Sequence, residues 1–238
     1  MWDNAPLLRS IANTLFMCSV LALFYGAVNY VVHRPEILPI KRVSLANVPE
    51  RVVADDVLAT VRKRAQGNFL TVDIASLRRS LETLPWVRSV SVRRVFPDQL
   101  RVNLEEHVAL AYWNDDALVN QQGEVFAGQT TQTLPQFVGN DGTADEVSTE
   151  YRKFNEQLKP INLQLKKLVL SPRHSWQLHL SNDMIVELGR ESMQKRLARF
   201  VAVYPYSLVQ YGASAQEIQV VDMRYRDGFA VKKHHGSA

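Results

Sequence analysis

The residue pattern closest to a catalytic motif is Ser192-Met193-Gln194-Lys195, a Ser-x-x-Lys sequence. On a helix this spacing places a hydroxyl and an amine one turn apart, which is how penicillin-binding proteins activate a serine nucleophile. Those enzymes also need Ser-Asp-Asn and Lys-Thr-Gly motifs, and the sequence contains neither. Serine is also favoured at helix N-termini, and Ser192 opens an amphipathic run. We therefore predict that Ser192 caps a helix and is not a nucleophile.

Other candidate reactive groups are equally poorly arranged for catalysis. The acidic pairs Glu105-Glu106 and Asp115-Asp116 are adjacent, and neighbours on a strand point to opposite faces, so neither forms an acid/base pair. The histidines lack metal-ligand spacing apart from His234-His235 near the C-terminus. The single cysteine, Cys18, lies in an apolar segment and excludes an intramolecular disulfide. We therefore predict no enzymatic activity, no metal site and no cofactor.

Basic side chains do not form a nucleic-acid site by pattern. The net charge is only +4. Arg88 and Arg94 share the parity of one predicted strand, whereas Arg93 points to the other face. We expect these arginines to cover sheet faces and edges, with some attraction to anionic lipid, and we predict no nucleic-acid partner.

The segment Ile11–Val32 organises the rest of the chain. It contains no charged residue, and as a helix it would extend about 33 Å, enough to cross a bilayer core. Tyr25, Tyr30 and His33 at its far end are typical of a membrane interface. A cleavable signal peptide would have a shorter apolar region and a better cleavage site, and a buried soluble helix would have a continuous polar face. We predict a single-span anchor, whose orientation the flanking charges alone do not determine.

The remaining elements follow from periodicity and from proline and glycine positions. After the anchor comes a proline-containing linker, and the next seventy residues have the order β-α-α-β-β, with Asp73 as the N-cap of the second helix. The following unit has short strands and two amphipathic helices, over Val147–Leu158 and Ser192–Val203. The predicted boundaries are 1–10 for a tail, 11–32 for the anchor, 33–39 for the linker, 40–107 and 108–231 for two domains, and 232–238 for a flexible tail. The fold class is α+β, and we expect an antiparallel sheet in the second domain.

The last predicted strand, Ile218–Val231, is interrupted only at Asp227-Gly228. An open terminal strand is a template on which a partner can add a strand of its own. Tyr225 and Phe229 share parity on this strand, and tyrosine is a frequent interface anchor. Periodicity leaves two interpretations open, because Tyr225 could instead pack beneath the last helix.

Several motifs resemble a known family. Gly67–Asp73, Leu84-Pro85-Trp86-Val87 and Val92–Val102 resemble a POTRA domain, a unit also found in outer-membrane assembly and secretion proteins. Ser175–Leu178, Leu188-Gly189-Arg190, Lys195–Phe200 and Val221–Val231 extend the resemblance to the second unit. With the anchor, the order of these segments is similar to that of the FtsQ/DivIB family of bacterial cell-division proteins.

The resemblance implies a function that composition alone does not. It implies an essential, non-catalytic divisome scaffold in the inner membrane at the septum, with a cytoplasmic amino terminus and a periplasmic body. It implies that the last strand recruits FtsB together with FtsL, and that the POTRA domain contacts FtsK or other division proteins. Carried over by position, the partner-binding residues would be Arg173, Arg224, Tyr225, Asp227, Gly228 and Phe229. The alternative is a POTRA-bearing secretion or outer-membrane-assembly component that binds extended polypeptides.

Overall fold

The structure is a computed structural model that describes residues 5–34, 36–208, 218–226 and 228–233. Asp227 of the predicted site, the His234-His235 pair and Pro35 of the predicted linker lie outside these residues, as do the outer parts of both predicted tails. The chain divides into two compact units, Met1–Glu106 and His107–Ala238.

The first unit begins with a long apolar helix, α1, over Ala5–Val32. It therefore starts six residues before the predicted anchor and includes part of the predicted tail. Among the described residues, α1 alone is long and apolar enough to cross a membrane, over Pro6–Val32.

The rest of the first unit has the predicted β-α-α-β-β order. Its elements are β1 (Arg42–Leu45), α2 (Ala54–Arg64), α3 (Ile74–Glu82), β2 (Val87–Val95) and β3 (Gln99–Glu106). The sheet order is β1-β3-β2, with β1 parallel and β2 antiparallel to β3. Leu100, Val102 and Leu104 are buried and alternate with exposed residues, which is the period-2 pattern of a half-buried strand. The Asp73 cap is confirmed, since its Oδ1 accepts a bond from the Ser76 amide at 3.0 Å.

A single carboxylate fastens the start of α2 to the end of the sheet. Glu106 accepts bonds from the backbone amides of Glu50, Arg51 and Val52 at 3.0, 2.9 and 2.7 Å. Burial alone would raise the pKa of Glu106, but these three donors and the nearby Arg51 charge favour the ionised form and lower the pKa.

The second unit is built on one nine-stranded sheet with two helices. Its elements are β4 (Ala109–Trp113), β5 (Ala117–Asn120), β6 (Val125–Phe126), β7 (Gln136–Val138), α4 (Ala144–Leu158), β8 (Leu165–Leu170), β9 (Trp176–Leu180), β10 (Ile185–Gly189), α5 (Met193–Val203), β11 (Ile218–Asp222) and β12 (Ala230–Lys233). The order across the sheet is β12-β11-β10-β9-β8-β7-β4-β5-β6. Phe154 of α4 packs edge-on against Trp176, and Phe200 of α5 is also fully buried, so both helices contribute to the core.

The sheet of the second unit is mixed, and the expectation of an antiparallel sheet is wrong. Strands β7 and β8 are parallel, as are β10 and β11, and β4 and β7. The first two pairs are each connected through a helix, α4 and α5 respectively. A helical crossover returns the chain in its original direction, so the two strands that it joins pair in parallel.

Two local predictions are also corrected. Ser192 has a left-handed backbone (φ 53°) and its side chain makes no capping bond, because an N-capping serine needs an extended backbone conformation. The predicted strand Ile218–Val231 contains two antiparallel strands, β11 and β12, and the described residues between them, 223–226 and 228–229, are not in a strand.

Candidate partner-binding site

The centre of the candidate site is the connection between β11 and β12, and we call residues 223–226 the connecting segment. Met223 is fully buried, and its amide donates to the Glu187 carbonyl at 2.9 Å, which continues the pairing of β10 with β11. Arg224, Tyr225 and Arg226 are exposed. The segment is thus anchored at its first residue and presents the next three to solvent.

Two arginines of α5 hold the backbone of the connecting segment. Arg199 donates to the carbonyls of Met223, Tyr225 and Arg226 at 3.0, 2.8 and 2.6 Å. Arg196 donates to the carbonyl of Arg224 at 3.2 Å and to that of Leu188 at 2.6 Å. Residues three apart on a helix share a face, so both guanidinium groups reach the same stretch of backbone. Because these carbonyls are bonded to side chains, the segment does not continue as a strand.

A bidentate ion pair fixes the side chain of Arg224. Its Nε and Nη2 donate to the two carboxylate oxygens of Asp222 at 2.9 and 2.7 Å, and its amide also donates to Asp222 at 3.0 Å. The hydrogen bonds from the Arg224 side chain lower the pKa of Asp222, although burial acts in the opposite direction. The same bonds raise the pKa of Arg224. Both groups therefore stay charged at neutral pH.

Gly189, at the end of β10, makes room for this arrangement. Its φ is +75°, and a Cβ there would lie 2.8 Å from Arg196 Nη1 and 3.1 Å from Arg224 Cγ. A larger residue would be strained and would also displace one of the two arginines.

Three adjacent clefts surround the connecting segment. The first, of about 330 Å³, lies between the β8–β9 turn and Arg224 and is lined by Arg173, Gly189, Arg190 and Arg196. The second, of about 470 Å³, lies between α5 and Tyr225, and the third, of about 480 Å³, contains Tyr225, Gly228, Phe229 and Ala230. The described charged residues that line them are Arg173, Arg190, Lys195, Arg196, Arg199, Arg224 and Arg226, together with one described acidic residue, Glu191. The surface is therefore strongly basic.

The five described residues of the predicted site lie along this surface. Arg173 is exposed in the β8–β9 turn and lines a cleft with Arg224, although 51 positions separate them. Tyr225 is 58% exposed, so the interpretation that it packs beneath the last helix is wrong. Gly228 and Phe229 precede β12, and Phe229 is half-buried against the core of the unit. Tyr225 and Phe229 do not lie on a strand, contrary to prediction.

Sequence reasoning missed the residues that hold the site in place. These residues are less exposed than Tyr225, but they determine where its backbone lies. They are Arg196, Arg199, Asp222 and Gly189. The available signal was a pair of arginines three apart beside the apolar face of α5. Amphipathic periodicity cannot show that such side chains bond to carbonyls, because that depends on which segment packs beside the helix.

The site borders an open sheet edge. Strand β12 is outermost in the sheet, pairs with β11 on one side, and has all four side chains exposed. No other described strand pairs with its outer side. The third cleft includes Ala230, the first residue of β12, so the site adjoins this edge.

Comparison with known proteins gives consistent matches for both units. A family model described as "POTRA domain, FtsQ-type" matches residues 38–107, and one described as "Cell division protein FtsQ/DivIB, C-terminal" matches residues 111–224. The second match ends at Arg224, so Tyr225, Gly228 and Phe229 follow it in the chain.

Curated relatives match over most of the chain. A cell division protein FtsQ of Nitrosospira multiformis is 37% identical over 98% of this chain and 99% of the relative. FtsQ of Burkholderia pseudomallei is 37% identical over 98% and 94%, and FtsQ of Escherichia coli is 36% identical over 82% and 72%. The predicted resemblance is confirmed: the chain belongs to the FtsQ/DivIB family of cell-division proteins.

Proposed function

We propose that this chain is a non-catalytic scaffold of the bacterial divisome that recruits FtsB together with FtsL at the β12 edge. In this proposal α1 spans the inner membrane once, with the amino terminus in the cytoplasm and both folded units in the periplasm at the division septum. The POTRA unit contacts FtsK or other division proteins. Family membership and one apolar helix of sufficient length support this arrangement.

The observation that carries the recruitment proposal is the open edge of β12 beside an exposed tyrosine. Strand addition to a sheet edge supplies main-chain hydrogen bonds, and neighbouring pockets supply selectivity. Tyr225 lies beside two of the three clefts, where one aromatic ring can provide contact area and a hydroxyl. The partner-binding residues in the proposal are Arg173, Arg224, Tyr225, Asp227, Gly228 and Phe229.

The charge of the site indicates the kind of segment that would bind. Among the residues that the structure describes, seven basic and one acidic line the three clefts. An acidic segment would be attracted to these clefts, and complementary charge speeds association and excludes basic competitors. We therefore expect the strand that adds to β12 to be flanked by acidic residues.

The family matches argue against a secretion or outer-membrane-assembly component. The POTRA match is to the FtsQ type, and the second unit matches the FtsQ/DivIB C-terminal model. The full-length similarity to FtsQ proteins argues in the same direction.

The test measures binding of an FtsB–FtsL complex to the full chain in nanodiscs. Tyr225→Ala is compared with Tyr206→Ala, since Tyr206 is another tyrosine of this unit and is 73% exposed. Loss of a hot-spot aromatic should weaken binding at least about thirtyfold, equivalent to about 2 kcal/mol, whereas Tyr206→Ala should change it less than about twofold.

The outcomes separate the two parts of the proposal. Absence of binding by the unmodified chain would refute recruitment. Binding that Tyr225→Ala leaves intact would retain recruitment but remove the site. Strand addition further predicts that amides of Ala230–Lys233 gain protection from hydrogen exchange when the complex binds, and unchanged exchange there would refute that mode.

A further inference from the structure

A fully buried asparagine joins α1 to the POTRA unit. Asn68 lies in the loop between α2 and α3, and its Nδ2 donates to the carbonyls of Val32 and Arg34 at 2.5 and 3.0 Å. Its Oδ1 accepts from the amides of Leu70 and Thr71, both at 2.9 Å. The loop is therefore bonded to the last residue of α1 and to a residue just beyond it, where a spanning helix leaves the bilayer.

Two large apolar side chains are exposed beside this junction. Leu70 is two residues from Asn68 and is 49% exposed. Phe96, in the β2–β3 turn, is 77% exposed and its ring meets that of Phe69 edge-on at 6.2 Å. Arg94 connects the loop that carries Leu70 to the turn that carries Phe96. It precedes Phe96 by two residues, and it donates to the carbonyls of Leu70 and Val72 at 3.3 and 2.8 Å.

Basic residues surround the same end of the unit. Lys41 precedes β1 and Arg42 begins it, and their amides donate to the carbonyl of Asp98 in the β2–β3 turn at 2.9 and 3.3 Å. The Arg42 side chain also pairs with the Asp98 carboxylate at 2.9 Å. The last turn of α2 carries Arg62, Lys63 and Arg64, only a few residues before Asn68. Exposed apolar side chains surrounded by lysine and arginine residues are typical of proteins that bind the surface of an anionic bilayer.

We propose that this end of the POTRA unit, with Leu70 and Phe96 at its centre, is a second membrane contact that binds anionic phospholipid headgroups. The proposal rests on the membrane anchoring by α1 proposed above, because the bonds of Asn68 place the surface next to that helix. Leu70 and Phe96 enter the boundary between headgroups and acyl chains, and the surrounding lysine and arginine side chains contact lipid phosphates. The contact fixes the POTRA unit against the bilayer surface.

The opposite end of the same sheet provides a matched control. Val48 is 91% exposed, and the neighbouring Asn47 bonds to the Leu104 backbone near the end of β3. That end lies about 25 Å along the strand from the β2–β3 turn, at about 3.3 Å per residue. With the β2–β3 turn at the bilayer, we therefore expect the side chain at position 48 to lie away from lipid.

The experiment places a photo-crosslinking phenylalanine analogue at position 70, 96 or 48 of the full chain. Each variant is assembled in nanodiscs of phosphatidylcholine alone or with phosphatidylglycerol, and lipid adducts are measured by mass spectrometry. We expect at least about tenfold more adduct at positions 70 and 96 than at 48, and several-fold more in anionic than in neutral discs.

Each outcome decides a different part of the proposal. Adduct at 70 and 96 no greater than at 48, or adduct to protein only, would overturn the membrane contact. Equal adduct in neutral and anionic discs would overturn its assignment to anionic lipid. Failure of the chain to enter discs at all would instead refute the α1 anchor, and binding of FtsB–FtsL to the same discs tests recruitment separately.

Discussion

In each unit, charged side chains hydrogen-bond to an irregular backbone segment. The side chain is negatively charged in the first unit, and the side chains are positively charged in the second. In the first unit one carboxylate, Glu106, accepts three amides at the start of α2. In the second unit two guanidinium groups, Arg196 and Arg199, donate to the carbonyls of the connecting segment. In both units the side chains hydrogen-bond to backbone groups that have no partner within a strand or helix.

The difference lies in the side chains of the two segments. The segment held by Glu106 ends in Val52, which is buried in the core of its unit. The connecting segment carries Tyr225, which is largely exposed. The first arrangement therefore serves the fold alone, whereas the second orders the backbone around a side chain that the fold does not use. This contrast is what supports an interaction role for Tyr225.

The first prediction concerns Arg199, which donates three hydrogen bonds to the connecting segment. Arg199→Ala deletes three charge-assisted bonds to carbonyls, and we expect the region around β11 and α5 to lose about 3 kcal/mol of stability against opening. The measurement is hydrogen exchange of the full chain in nanodiscs, read from peptides that cover 218–226. Arg190→Ala is the control, because Arg190 is an exposed arginine at the rim of the same site and should change stability by less than about 0.5 kcal/mol. Equal effects of the two substitutions would show that Arg199 does not hold the segment.

The second prediction concerns the pH dependence of the contact that the Glu106 carboxylate makes in the first unit. The pKa of Glu106 is lowered from its ordinary value of 4.5, so its stabilising effect is fully present above that value and is lost as pH falls through the folded pKa. Amides of residues 50–52 should lose protection in that acidic range, after correction for intrinsic exchange rates. Glu106→Gln should cost about 1–2 kcal/mol at neutral pH and remove the pH dependence.

The second unit provides a comparison for the pH dependence expected at Glu106. The connecting segment has its own titrating neighbour, Asp222, whose pKa Arg224 lowers. Only the Arg224 amide, which bonds to Asp222, should lose protection with acid there. Glu50→Gln is the control in the first unit, since Glu50 is exposed and contributes its amide but not its carboxylate. A pH dependence that survives in Glu106→Gln would mean that another group is responsible.

The smallest expected effect is that of Tyr225→Ala on stability. Because the Tyr225 side chain is exposed and only its backbone carbonyl is held, we expect a change within about 0.5 kcal/mol in the free energy of opening. The same exchange measurement as for Arg199→Ala checks this. A loss comparable to that of Arg199→Ala would mean that the tyrosine is structural, and would remove the contrast between the units.

Local periodicity was sufficient for most of the first unit. Periodicity predicted the β-α-α-β-β order that the structure shows, and Asp73 predicted the start of α3 with its capping bond. These patterns depend on residues close in sequence, where strand and helix periods act directly. The positions of α4 and α5 were predicted for the same reason.

The sequence by itself thus determined the element order of the first unit, the two helices of the second unit, the apolar helix and the resemblance to the FtsQ/DivIB family. Tertiary structure alone decided that β10 and β11 pair in parallel, that residues 223–226 leave the strand, and that Arg173 and Arg224 line one cleft. Each of these depends on partners distant in the chain: a helical crossover, two arginines on α5, and a turn two strands away. Periodicity records which face of an element is apolar, but not which distant backbone groups its polar side chains will bond.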